Sequence, residues 1–116
     1  MIETLIAKTF RDRDMAHVQH FKTGSYAEHA ALGEFYAGLM EAMDVLVEAW
    51  IGMFGKFGEL PEVEKEEFSI DYLRECADWI EVNRKEIAGE SDAVANLVDG
   101  VTAVYLKAIY KLENLK

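Results

Sequence analysis

The chain has 116 residues, with 12 basic and 22 acidic side chains and a net charge of −10. That length is one domain with a single core, read as residues 1–116. A surface this negative, with no Lys/Arg-rich tail or stripe, excludes binding to phosphate backbones.

About half the residues are apolar, which excludes disorder. No apolar run approaches the ~20 residues that a bilayer requires, so no membrane partner is expected. Cys76 is the only cysteine, and the N-terminus has neither the basic start nor the cleavage site of a secretion signal. The expected setting is reducing and cytoplasmic.

One proline and scattered glycines, without strand-turn-strand punctuation, indicate an all-α chain. The first predicted helix covers about residues 3–22. Leu5, Ile6, Phe10, Met15, Val18 and Phe21 are its apolar positions, and "RDRD" (11–14) is placed in water. It stops near "KTGS", with Gly24 as C-cap and Ser25 as the next N-cap.

The second helix, about 26–56, carries two arcs at ~100° per residue. Leu32, Phe35, Leu39, Met43, Leu46, Trp50, Phe54 and Phe57 form a core arc. His29, Ala30, Gly33, Ala37, Met40, Asp44, Val47, Glu48 and Ile51 form another. Two such faces call for two neighbours, the second of which can be another chain.

"GELPEVEKEEF" (58–68) follows. Fully extended, ten or so residues reach roughly 33 Å, so either a tight hairpin or a crossover along the bundle is compatible with it. The third helix, about 69–88, begins at Ser69 and ends at Gly89, with Ile70, Leu73, Cys76, Ala77, Ile80 and Ile87 inward. Cys76 is read as packing. The fourth, about 92–114, follows Ser91, with Val94, Leu97, Val98, Val101, Val104, Tyr105, Ala108 and Leu112 inward.

The functional question lies in "HVQHFKTGSYAEH" (17–29), which holds all three histidines, and in the carboxylates Asp44 and Glu48 further along helix two. Asp44 and Glu48 share one helix face. His29 and Asp44 stand on similar sides of the helix but about 22 Å apart along its axis, too far to share an ion within one chain. Two copies of helix two crossing antiparallel about a two-fold axis remove that obstacle. When Gly33 faces the second copy's Asp44, His29 faces its Glu48, and Ala30, Gly33, Ala37 and Gly38 permit close approach. An isologous homodimer through helices one and two then builds two equivalent sites. Each combines His17 and His29 of one chain with Asp44 and Glu48 of the other. Imidazole with carboxylate suits Fe(II), and the acidic surface draws cations. His20 is read as a surface or interface polar residue.

These residues resemble the Dps-type mini-ferritins. The family's motif sets a histidine at the end of helix one, a second histidine twelve residues on, an aspartate four residues later, and then an aspartate and glutamate spaced by four. Laid on this chain without a gap, His17, His29, Asp44 and Glu48 match. The resemblance implies a ferritin-like four-helix bundle, a homodimer or higher oligomer, and an iron-binding ferroxidase site shared across the dimer interface. The final stretch, "AGESDAVANLVDGVTAVYLKAIYKLENL", also looks like the family's last helix.

The chain departs from the pattern at several places. Gly33 stands at the intermediate aspartate, and neighbouring Glu34 points ~100° away. Val18 follows the first histidine where the family commonly has tryptophan. There is no basic tail, and the 58–68 connection is too short for the family's extra helix. No Glu-x-x-His pair is present, Asp14 to His17 being the nearest, so an intrachain di-iron site is not expected. The chain reads as a trimmed relative with weak ferroxidase chemistry. The alternative is a non-catalytic scaffold that lost its metal, or an adaptor whose acidic surface binds a basic protein partner.

Overall fold

Three of the four helices begin on a serine whose hydroxyl accepts a backbone N–H of the first turn. Ser25 accepts from Glu28 at 3.2 Å, Ser69 from Tyr72 at 3.0 Å and Ser91 from Val94 at 3.2 Å. Each satisfies a donor that the helix itself leaves unpaired. The computed structural model describes residues 1–116 as α1 (Ile2–Lys22), α2 (Tyr26–Phe54), α3 (Ile70–Ala88) and α4 (Asp92–Asn114), without strands. α2 and α3 end on Gly55 and Gly89, at φ 94° and 59°. Those angles suit glycine because a Cβ there would crowd the backbone. α1 ends differently from its expected cap: Thr23, in an extended conformation, closes it, and Gly24 has no positive φ.

The four apolar stripes meet in one core, with Leu5, Leu32, Leu39, Leu46, Leu73 and Val101 fully buried. α1 packs on α2, α2 on α4 and α4 on α3. Side-chain bonds settle the directions. Trp50 Nε1 donates to Ile87 O at 3.0 Å, so the ends of α2 and α3 lie together and the two helices run parallel. Gly58 N donates to Glu3 Oε2 at 2.7 Å, and Arg11 Nη1 to Glu64 O at 3.3 Å. Residues 55–69 therefore return along α1 as a crossover, and the order is up, down, down, up. Of the two paths compatible with the sequence, this is the longer one.

Trp50 also supplies a donor to the last turn of α3, where carbonyls lack helical partners. Trp50→Phe keeps the ring packing and removes that bond, so the expected loss is about 1 kcal/mol in urea unfolding.

The helix limits match the predicted ones to within two residues, but the faces of α1 do not. Phe10, Val18 and Phe21 are exposed, while Arg11 and Asp12, placed in water on the strength of "RDRD", are buried. The buried stripe of α1 runs Ile2, Leu5, Ile6, Thr9, Asp12, Ala16. It is helical in spacing and simply continues through two polar residues. On α2 the core arc stops short: Trp50 is half-buried, and Phe54, beside Gly89 at the end of α3, is exposed.

Candidate functional site

The α1–α2 corner gathers the histidines. His20 and His29 stack with ring centroids 3.7 Å apart and planes 17° from parallel. Each bonds the other's backbone: His20 Nδ1 lies 2.7 Å from His29 O, and His29 Nδ1 lies 2.9 Å from His20 O. A carbonyl oxygen only accepts, so both Nδ1 atoms carry the hydrogen, and in the neutral rings Nε2 keeps its lone pair. His20 lies in the last turn of α1, where its carbonyl has no helical donor, so His29 caps that helix. His17 stacks between Tyr36 at 4.2 Å and Phe21 at 4.6 Å, with His20 5.9 Å away.

Gly33 sits under this pair. A Cβ there would come 3.2 Å from His20 Cε1 and 3.4 Å from His20 Nδ1, so a side chain at position 33 would press on the His20 imidazole and require it to give way. His20, read from the sequence as a surface or interface polar residue, is half-buried between α1 and α2. Glu34 cannot take over the missing position, because it is held on the other side of α2. It pairs with Lys107 at 2.7 Å and also with Lys111, and those two lysines lower its pKa to about 2.

Asp44 and Glu48 lie exposed further down α2, and the chain contains no group of three or more His, Cys, Asp or Glu side chains arranged to hold a metal ion. A single copy therefore does not bring the four predicted ligands together; His17 and His29 share the corner, and the carboxylates are elsewhere. The second arc of α2 also divides. Ala30, Ala37, Asp44, Glu48 and Ile51 face outward, whereas Gly33, Met40 and Val47 are half-buried. Arg13 of α1 reaches Met40 Sδ at 3.4 Å, and Gly38 approaches Val104 of α4. Of the four small residues expected at a helix crossing, Ala30 and Ala37 remain open.

A second constellation, absent from the sequence reading, lies inside the bundle. The Asp12 carboxylate is fully buried. Oδ1 accepts from the Tyr72 hydroxyl and from Arg11 Nε at 3.1 Å. Oδ2 accepts from the Tyr105 hydroxyl at 2.5 Å. Arg11 continues to Glu64 O at 3.3 Å and Glu66 at 3.6 Å, joining the interior to the crossover. Burial first, and then the neighbouring Asp12, push both phenols above their ordinary range. The same two causes, in the same order, push the Cys76 thiol up to about 12, so it is held as an unreactive thiol. The available signal was positional. Thr9 and Asp12 stand in the register of Leu5 and Ala16, and Tyr72 and Tyr105 stand in the inward stripes of their helices.

The model of the family DUF5856, described as a family of unknown function, matches residues 20–112. The chain belongs to that family. No curated protein and no solved structure matches it. The DUF5856 stretch takes in His20, His29, Gly33, Asp44 and Glu48, together with Tyr72, Cys76 and Tyr105; Asp12 and His17 precede it. No helix of this DUF5856 member is long and apolar enough to cross a membrane.

Proposed function

We propose that the chain is a ferritin-like domain that binds iron between two copies of itself in the cytoplasm, each site using His17 and His29 of one chain and Asp44 and Glu48 of the other. The observation that carries this reading is His29. Its Nδ1–H is fixed on a backbone carbonyl, the arrangement that orients an imidazole and leaves Nε2 for a metal, and the residue is exposed. Asp44 and Glu48 are exposed and form no ion pair within the chain that would compete. The single long crossover is the connection found in ferritin-like bundles. Phe21 and Tyr26, 73% and 83% exposed, offer apolar area beside the histidines for a second copy to cover.

His20 limits the chemistry. With its ring over Gly33, the ligand position between the histidines and the carboxylates is filled, so each site takes one Fe(II) and supports only weak ferroxidase activity. The same contact favours the second reading, a scaffold that keeps the dimer and binds no metal.

Anaerobic Fe(II) titration by calorimetry separates the two. One saturable ion per chain is expected, lost in His29→Ala while sedimentation still reports a dimer. An absence of saturable binding would leave the scaffold reading standing.

A further inference from the structure

The seam between α1 and α3 holds a partly open cavity of about 210 Å³, lined in part by Glu66 of the crossover. Leu5, Cys76, Trp79 and Ile80 line it; Tyr72 forms its floor, and Asp12 and Tyr105, fully buried, also border it. The two phenols have no hydrogen left to offer. Both phenol hydrogens are given to Asp12, and Arg11 is engaged by Asp12 and the crossover. Acceptor capacity remains on the Tyr72 oxygen and on the Glu75 carboxylate, which forms no ion pair. Three carboxylates, Asp12, Glu66 and Glu75, stand around the cavity against the two cations Lys8 and Arg11.

The chain also shows how a cation is held here. Lys8 Nζ sits 4.4 Å from the centroid of the Trp79 ring, a cation–π contact at the wall of the cavity. Lys8 is a flexible side chain on a long stem, so it can leave that position to an incoming group.

We propose that this cavity is a binding site for a small organic ammonium with an apolar body. The ammonium takes the Trp79 face and the Glu75 carboxylate, and the body lies against Leu5, Ile80 and Cys76. The Tyr72 oxygen and the Glu75 carboxylate can accept from the ammonium, and the surplus of carboxylates over cations selects a positive group. This inference stands apart from the α1–α2 corner and does not depend on iron.

The test is a titration of the full chain with benzylammonium, read by the Trp79 indole and Cys76 amide signals in nuclear magnetic resonance. Benzyl alcohol and benzoate serve as neutral and anionic controls of the same shape. Benzylammonium is expected to saturate in the millimolar range with shifts confined to the seam, and benzoate to leave those signals unmoved. Lys8→Met, which frees the Trp79 face, should tighten binding about two- to fivefold, the range of an exposed cation–π contact. Glu75→Gln, at an exposed position, should weaken it by up to about fivefold. Equal or stronger binding of benzyl alcohol or benzoate would overturn the assignment, as would an absence of saturation by benzylammonium in the folded wild-type chain.

Discussion

Asp12→Ala is expected to cost about 3–5 kcal/mol of folding stability, the range for removing one partner of a buried charged network. The substitution strips the acceptor from two phenols at once. Tyr105 is 1% exposed, so water cannot replace Asp12 there without opening the core, and Tyr72 loses its charged acceptor at the cavity floor. Arg11, 9% exposed, loses the carboxylate that neutralises it and retains Glu64 O and Glu66. Because Asp12 touches residues of α3 and α4, the loss is felt at the seam where α1 and α3 are separated by the cavity. Tyr105→Phe isolates one of these bonds and should cost about 1.5–3 kcal/mol, as for a hydrogen bond to a charged group. Urea unfolding at neutral pH measures both. A loss below about 1 kcal/mol for Asp12→Ala would show that packing alone joins α1 to the rest.

The bundle is also expected to weaken steeply in alkali. Burial, and then Asp12, raise the pKa values of Tyr72 and Tyr105, and burial leads the rise of Cys76 to about 12. In the unfolded chain these groups ionise near their ordinary values, about 8.5 for cysteine and about 10 for tyrosine. The folded state keeps its protons past those points. Above them the unfolded state binds fewer protons, so stability falls as pH rises. The contribution is complete below the unfolded values and is lost as pH climbs toward the folded ones. Each raised group contributes a slope of about 1.4 kcal/mol per pH unit, so the tyrosine pair contributes about 3 kcal/mol per unit above pH ~10. Urea midpoints from pH 8 to 11 trace the fall. Tyr72→Phe removes one of the two phenols and should shallow the slope by about half of the pair's share. Equal slopes in wild type and Tyr72→Phe would mean that the phenol of Tyr72 stays exchangeable with solvent.

Local chemistry explains why the helices were legible. Ser25, Ser69 and Ser91 act as caps through bonds to residues three positions on, and Gly55 and Gly89 stop helices through their own backbone angles. The inward stripes of α3 and α4 follow from helical period alone. Glu34 was placed away from the position of Gly33 by the same period, and its pairing with α4 agrees.

What stayed hidden depends on residues far apart in the chain. "RDRD" has the composition of a solvated face, and only Tyr72 and Tyr105, sixty and ninety-three residues beyond Asp12, make the burial of that carboxylate tolerable. The role of Gly33 is similar. From the sequence it was a missing ligand or a small residue at a crossing, and in the fold it is the seat of the His20 ring.

By itself, the sequence determined an all-α chain of four helices, their ends and most of their buried faces, because capping and 3.6-residue periodicity act within a few positions. The tertiary structure alone decided the crossover path, the stacking of His20 on His29 and the buried Asp12 network. Those outcomes rest on which helices become neighbours, and a hydrogen bond or an occupied space between distant residues leaves no periodic mark in the chain.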